Sequence, residues 1–151
     1  LLPQDTCAAS EKCTPCFSPL DGSDTGACRL SCDAGPTQSA TTFASCCDGR
    51  AKCVPATSIP DDQEEQLSEQ ECQDTSPGSL CVPDEIIAGG PFPTCSANSF
   101  ILGNYTGVCL SDCLDFGIQG IALARGNCQN DFKCAPCVQN GQPTGAPGCP
   151  P

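Results

Sequence analysis

The sequence predicts a small disulfide-rich protein that is mostly irregular, with short helices, short strands and tandem cysteine modules. Cysteine occupies 17 of the 151 positions, which is the composition of a disulfide scaffold. Large apolar side chains are scarce, with no Trp, no Met, 1 Tyr and 6 Phe, so cross-links must supplement the core. Gly and Pro number 15 each, and this favours turns over long regular elements.

The cysteine content and the charge predict where the chain resides. Disulfides form and persist in oxidising compartments, so we expect an extracellular, cell-surface or periplasmic protein. The formal net charge is −12, which argues against nucleic acid and anionic membranes as partners, because both require clustered Lys and Arg. Since no stretch approaches the ~20 apolar residues of a membrane helix, we expect no membrane insertion.

One cysteine spacing occurs twice, with separations of 6, 3 and 12 positions. The first copy reads TCAASEKCTPC and is followed by TGAC. The second copy reads NCQNDFKCAPC and is followed by TGAPGC. Agreement of three spacings, of x-Pro-Cys and of Thr-Gly indicates an internal repeat. The cysteines are Cys7, Cys13, Cys16 and Cys28 in the first copy, and Cys128, Cys134, Cys137 and Cys149 in the second.

A looser unit covers more of the chain: Cys-x(5–8)-Cys-x-Pro, a variable loop, Thr-Gly-x-Cys, three residues and Cys. Residues 7–32 and 72–113 are complete copies, 47–54 hold an opening only, and 128–149 lack the last cysteine. We therefore predict four segments. They are a first cysteine module at 1–57, with its partial copy at 47–54, an acidic helical linker at 58–71, a second module at 72–127, and an incomplete third module at 128–151.

The odd cysteine count predicts one thiol without a partner inside the chain. Because the last module is incomplete, we expect Cys149 to be unpaired or bonded to another molecule. The neighbours Cys46 and Cys47 should pair in different directions, since a bond between adjacent residues is strained. The connectivity itself stays open. The other disulfide candidates are Cys7, Cys13, Cys16, Cys28, Cys32, Cys46, Cys47, Cys53, Cys72, Cys81, Cys95, Cys109, Cys113, Cys128, Cys134 and Cys137.

Three short helices are predicted. A capping-box pattern with Pro in the first turn starts one at Ser58, and it should run to about Gln70. Residues 83–88 form one or two turns before a Gly-Gly stop. Residues 114–124 carry apolar side chains at helical spacing and should end at Gly126. Short strands should flank the Thr-Gly turns.

Two C-x-x-C pairs could carry chemistry: Cys13-Thr-Pro-Cys16 and Cys134-Ala-Pro-Cys137. We predict structural disulfides, with zinc ligation, a redox pair and iron–sulfur ligation as alternatives. Covalent haem attachment is excluded because no His follows either pair. The chain has no His at all, so neither a Ser–His nor a Cys–His pair can form. A pair among the 18 acids is the remaining catalytic alternative, and we predict a protein that is not an enzyme and has no catalytic residues.

Acidic side chains are the other candidates. Nine of them and no basic residue lie between Asp61 and Glu85, and we predict a solvated linker, with a contact for a basic partner or a weak calcium site as alternatives. Asp21-Gly22-Ser23-Asp24 also offers oxygens, but it lacks the calcium-loop spacing, so a polar turn is the prediction and calcium the alternative. We otherwise expect no cofactor. Asn104-Tyr105-Thr106 is a candidate glycosylation site.

The string CTPCFSPLDGSDTGAC, with CCDGRAKCVP downstream, resembles a group of uncharacterised cysteine-rich exported proteins of myxobacteria and related bacteria. These proteins carry C-x-P-C and C-V-P modules separated by TGxC turns. The resemblance extends from Cys7 to about Cys149. It implies export and a surface or envelope location, and it transfers no catalytic residue.

These observations together predict a non-catalytic structural or interaction protein of the cell exterior. We expect a subunit of a surface assembly, an appendage such as a filament, or a larger complex. Its partners would be other protein subunits, with copies of itself among the candidates. The alternatives are a secreted binding module, such as an adhesin or an inhibitor-like domain, and a metal-binding protein.

Overall fold

The computed structural model describes residues 9–10, 13–29, 35–36, 39–64, 66–69 and 71–150. The chain divides into two compact units, Leu1–Ala44 and Ser45–Pro151. The described residues form short antiparallel strands and a few short helices, and seven disulfides connect them. The small disulfide-rich fold predicted from the composition is therefore confirmed.

The first unit is held by turns and by the bond between Cys16 and Cys28. Phe17 and Asp24 form an antiparallel bridge within the loop that this disulfide closes. The Phe43 N–H donates to the Pro19 carbonyl at 2.7 Å. Between residues 13 and 44, the described backbone forms no helix and no longer strand.

The second unit contains two antiparallel sheets of three strands and a two-stranded hairpin. A helix α1 lies between the second and third strands of the first sheet, and a helix α2 follows its third strand. A 3₁₀ helix at Gly117–Ile121 lies between the last two strands of the second sheet. The first sheet is β1 (Ser45–Cys46), β2 (Ala51–Pro55) and β3 (Ser79–Pro83); the second is β4 (Thr94–Ser99), β5 (Gly103–Ser111) and β6 (Phe132–Pro136); the hairpin is β7 (Val138–Gln139) and β8 (Gln142–Pro143); the helices are α1 (Asp61–Glu64) and α2 (Asp84–Ile87).

The two sheets repeat one strand register. In each sheet the cysteine of the middle strand lies opposite the cysteine of the third strand, as Cys53 lies opposite Cys81 and Cys109 opposite Cys134. The cysteine of the first strand lies opposite the residue two positions before the middle cysteine. These pairs are Cys46 with Ala51 and Cys95 with Gly107.

The disulfides of the two sheets repeat as well. One bond joins the two outer strands, Cys46 to Cys81 in the first sheet and Cys95 to Cys134 in the second. The other joins the middle strand to the following loop, Cys53 to Cys72 and Cys109 to Cys128, with a separation of 19 in both cases. The structural repeat is therefore a three-stranded sheet with two disulfides, at residues 46–81 and 95–134.

An apolar cluster, one disulfide and one salt bridge join the sheets of the second unit. Val108, Leu110, Leu114 and Ala135 are buried together, and residues from both α2 and the segment after α1 pack on them. Cys47 is bonded to Cys113. Beside this bond, Arg50 pairs with Asp112 at 2.9 Å, and the hydrogen bond that Arg50 donates to Asp112 raises the pKa of Arg50.

The structure is not divided at the boundaries that the sequence repeats predicted. Five of the seven described disulfides cross those boundaries, because each sheet draws its cysteines from two predicted segments. The predicted linker 58–71 is not a linker. Ser68 pairs with Cys81 of β3, Leu67 packs on the apolar cluster, and the Asp115 N–H donates to the Gln66 carbonyl at 3.0 Å.

The helix predictions have three outcomes. The helix at 83–88 is confirmed as α2. The helix predicted from Ser58 to Gln70 is too long, because α1 spans Asp61–Glu64 and the backbone at Ser68 is instead taken by pairing with β3. The helix at 114–124 is wrong. Only a 3₁₀ helix forms there, and it turns Ile118 and Ile121 outward, 89% and 84% exposed.

The repeated Thr-Gly motif adopts two different structures. At Thr25 and Thr144, the hydroxyl donates to the carbonyl of the proline in x-Pro-Cys, at 2.7 and 2.6 Å. Both threonine N–H groups also donate to a cysteine carbonyl at 3.0 Å. Thr106 and Gly107 instead lie inside β5, so the predicted equivalence of this third Thr-Gly to the others is wrong.

Candidate interaction surface

The described cysteines are all oxidised. Seven disulfides account for fourteen of them, and Cys13 is also disulfide-bonded. Cys46 and Cys47 bond to different partners, as predicted. The candidates Cys7 and Cys32 lie outside the described residues.

The expectation that Cys149 is unpaired or intermolecular is wrong, because it is bonded to Cys137. The β7–β8 hairpin reverses the chain after Cys137, and the Thr144 hydroxyl ties the returning segment to Pro136. These contacts bring position 149 back to position 137. The same arrangement closes the Cys16–Cys28 loop, with the same separation of 12.

Thiol labelling should confirm this assignment. If the non-reduced, denatured protein is alkylated and mapped by peptide mass spectrometry, none of the fifteen described cysteines should carry the label, because all are disulfide-bonded. A peptide containing Cys137 linked to Cys149 should be recovered. The fully reduced protein, in which all 17 cysteines should be labelled, serves as the control. Label on Cys149 in the non-reduced sample would contradict the structure.

Among the described residues, three groups of side chains, two of cysteines alone and one that includes an aspartate, have the proximity of metal ligands. In each group the ligand atoms lie within 4.8 Å of one another. The sulfurs are nevertheless in disulfides, and the ligand that zinc requires is a thiolate. In this oxidation state, two of the groups are buried disulfide sulfurs within the two sheets, and the third, which includes the exposed Asp112, lies at the Cys47–Cys113 bond. The groups are Cys46, Cys53 and Cys72; Cys95, Cys109 and Cys128; and Cys47 and Cys113 with Asp112.

The C-x-x-C pairs do not form redox disulfides. A redox-active pair of this type bonds its own two cysteines, whereas Cys16 is bonded to Cys28. Cys134 and Cys137 are bonded to Cys95 and Cys149, respectively. The motif therefore marks a point at which two neighbouring cysteines anchor two different loops, which agrees with the predicted structural disulfides.

The Asp21–Asp24 turn, a calcium alternative, uses its carboxylates internally. Asp21 accepts from the Ser23 N–H at 3.0 Å and from its hydroxyl at 2.7 Å. Asp24 accepts from the Gly26 N–H at 2.7 Å and pairs with Arg29 at 2.8 Å. These bonds lower the pKa of both carboxyls, through the Ser23 N–H for Asp21 and the Gly26 N–H for Asp24. The geometry is that of the predicted polar turn.

Two members of the acidic run have structural contacts. Glu71 accepts a hydrogen bond from the Cys47 N–H, and Glu85 accepts from the Ser111 N–H at 3.0 Å. Glu71 thereby connects the segment before Cys72 to the Cys47–Cys113 bond, and Glu85 connects α2 to β5. The glycosylation candidate Asn104 is exposed on β5, where its side-chain carbonyl accepts from the Asn98 amide at 2.6 Å.

The feature that the sequence did not predict is an apolar groove in the second unit, with a volume of about 480 Å³. Its floor contains Leu110 and Ala135, which belong to the buried cluster. Ten of its fifteen lining residues are apolar, four are neutral and polar, and Asp115 alone is charged. The apolar ones are Ile101, Leu102, Leu110, Phe116, Ile118, Ala122, Leu123, Ala135, Pro136 and Ala146; the neutral polar ones are Gln66, Gln119, Gln139 and Thr144.

Two apolar side chains that line this groove are exposed to solvent. Ile101 and Ile118 line it while remaining 65% and 89% exposed. Phe100 beside Ile101 is fully exposed, and Val138 beside the lining residue Gln139 is 59% exposed. Exposed apolar side chains that line one groove, as Ile101 and Ile118 do, are typical of an interaction site.

Sequence reasoning missed the groove because it assigned the side chains at 114–124 to the core. The apolar spacing there is real, but a 3₁₀ helix has three residues per turn, so Ile118 and Ile121 lie one above the other. Both face solvent. The usable signal was Gly117 and Gly120 within the segment, since glycine weakens an α-helix.

No helix among the described residues is long and apolar enough to cross a membrane. The disulfides and the two repeated sheets of the described residues define the class of protein, a small disulfide-rich protein, and disulfides of this number are typical of an oxidising compartment. Comparisons with protein-family models, with curated proteins and with solved structures find no match for this chain.

Proposed function

We propose that this chain is a non-catalytic interaction protein of the cell exterior, acting as a subunit of a surface assembly or of a larger complex. The observation that carries the proposal is the apolar groove with its exposed rim. Burying one large apolar side chain is worth about 1.5–3 kcal/mol. Exposure of the lining residues Ile101 and Ile118 is therefore costly in a free protein, and their burial would stabilise a complex.

The disulfides support the same function. The lining residues Leu110, Ala135 and Thr144 lie on or beside segments anchored by Cys109, Cys134 and Cys137. Cross-linked walls lose little conformational freedom on binding, which reduces the entropic cost of association. The non-catalytic part of the proposal rests on the composition, because a chain without His lacks the commonest general base.

Photo-crosslinking in the native source would test the proposal. Ile101 is replaced by a photoreactive phenylalanine analogue, and the matched control places the same analogue at Thr75, an exposed turn residue that does not line the groove. We expect discrete higher-mass adducts from position 101 and none from position 75. Adducts that still form when irradiation follows native purification indicate a permanent subunit, whereas adducts that form only when irradiation precedes purification indicate the secreted binding module. A monomer alone after irradiation at position 101 would overturn the proposal.

A further inference from the structure

We infer that the groove binds an extended peptide segment of a partner protein that combines large apolar side chains with Lys or Arg. This inference rests on the proposed function and adds the chemistry of the partner. It follows from the lining of the groove, from the charge of the second unit and from the exposed apolar residues at the rim.

The charge of the second unit selects a basic partner. Ser45–Pro151 contains 4 Lys and Arg and 13 Asp and Glu, which gives a formal charge of −9. A second copy of the chain would bring the same charge, so close approach of two copies is opposed by repulsion, whereas a basic segment is attracted. Anionic lipid headgroups are disfavoured for the same reason.

The charge in the groove itself has the same sign. Asp115 is the only charged lining residue. One of its oxygens accepts from the Gly117 N–H at 2.8 Å, and within the described part of the chain its other oxygen makes no hydrogen bond. At the Gln66 end of the groove, the acidic helix α1 ends two residues earlier, at Glu64. A Lys or Arg next to an apolar anchor would reach this acidic end.

No Lys or Arg among the described residues of the second unit forms an ion pair with Asp115. Arg50 is paired with Asp112, and Lys52 donates to Ser45 at 3.0 Å. Arg125 donates to Asn130. Lys133, the cation on the groove-forming strand β6, donates to the Gly120 carbonyl at 2.9 Å beneath the 3₁₀ helix.

The shape and the polar groups fit a peptide better than a small molecule. The groove volume of about 480 Å³ holds several side chains, and the lining residues Ile101 and Ile118 remain exposed at its rim. Gln66, Gln119 and Gln139 each offer an amide donor and an amide acceptor. These are the groups that pair with a peptide main chain.

Selection from a random 12-residue phage-displayed peptide library on the folded, oxidised chain would test the inference. The enriched peptides are then synthesised, and their affinities are measured. We expect every enriched family to contain at least one large apolar residue and at least one Lys or Arg. Ile118→Ser should weaken binding about tenfold or more. Its control, Ile121→Ser, removes an equally exposed side chain of the same helix that does not line the groove, and it should leave the affinity unchanged.

A second pair of variants tests the charge. Asp115→Asn retains an acceptor for the Gly117 N–H and should weaken binding about two- to fivefold at low salt, with the loss diminishing as salt is added. Asp74→Asn removes one charge from an exposed turn outside the groove and should have no effect. Native disulfide maps for all four variants establish that each is folded.

Four results would overturn the inference: no enriched peptide, enriched peptides without basic residues, affinities insensitive to Ile118→Ser, or peptide binding replaced by self-association or by binding to phosphatidylcholine vesicles. Any of them would leave the proposed function intact if photo-crosslinking at position 101 still yields adducts. Absence of those adducts would overturn both.

Discussion

Complete reduction of the disulfides is expected to unfold this protein at room temperature. Each disulfide contributes about 2–4 kcal/mol, whereas a domain of ordinary size has only about 5–15 kcal/mol of net stability. The summed contribution of the seven described bonds therefore exceeds the net free energy of unfolding of such a domain. In the described residues, the core cluster around β5 and β6 contains only four buried side chains, and a second cluster consists mainly of half-cystines, so little apolar packing remains after reduction.

Amide hydrogen exchange, followed with and without a phosphine reductant, measures this effect. We expect protected amides in β2, β3, β5 and β6 of the oxidised protein and no slowly exchanging amides after reduction. The oxidised protein in the same buffer with already oxidised reductant is the control. Retained protection in the fully reduced protein would show that packing alone maintains the fold.

Replacement of Gly107 by alanine is expected to cause the largest loss among single substitutions outside the cysteines. Gly107 lies in β5 between Cys95 on one side and Pro136 on the other. A Cβ atom there would lie 1.8 Å from the Ala135 carbonyl oxygen. Because that neighbour is backbone held by the Cys95–Cys134 bond, it cannot move aside, and we expect a loss of about 3 kcal/mol.

The matched control is Gly103→Ala, at the start of the same strand. No atom lies within 4 Å of a Cβ built at Gly103, but its φ is +68°. Alanine there should cost about 1–2 kcal/mol through backbone strain alone. Denaturant unfolding of both variants with all disulfides intact measures the difference, and equal losses would contradict the steric explanation at Gly107.

The Thr-Gly motif illustrates why an identical short sequence does not define one structure. At Gly26 and Gly145 the backbone has φ of +77° and +71°, so glycine is needed for conformation, and the preceding threonine hydroxyl closes the loop. Gly107 is needed because a neighbouring strand approaches closely. The spacing to the next cysteine is the same in residues 25–28 and 106–109, and only the strand pairing distinguishes them.

The cysteine repeat shows a similar division. Its shared separation of 12 corresponds to two loops that disulfides close in the same way, Cys16–Cys28 and Cys137–Cys149. The duplicated sheets do not follow the predicted copies, because each sheet takes its cysteines from two predicted segments. Cys95 to Cys134 and Cys46 to Cys81 join strands 39 and 35 residues apart. Long-range pairing of this kind is absent from local spacing, because many pairings are compatible with one set of cysteine positions.

Composition by itself determined the disulfide-rich class, the oxidising compartment and the exclusion of His-based catalysis, since these depend on which residues are present. The tertiary structure alone decided that Cys149 bonds to Cys137, that residues 58–71 belong to the second unit, and that Ile118 faces solvent beside a groove. Each depends on which distant segments meet. In a chain with so small a core, disulfides and strand register decide those contacts, and the apolar pattern of a short segment does not.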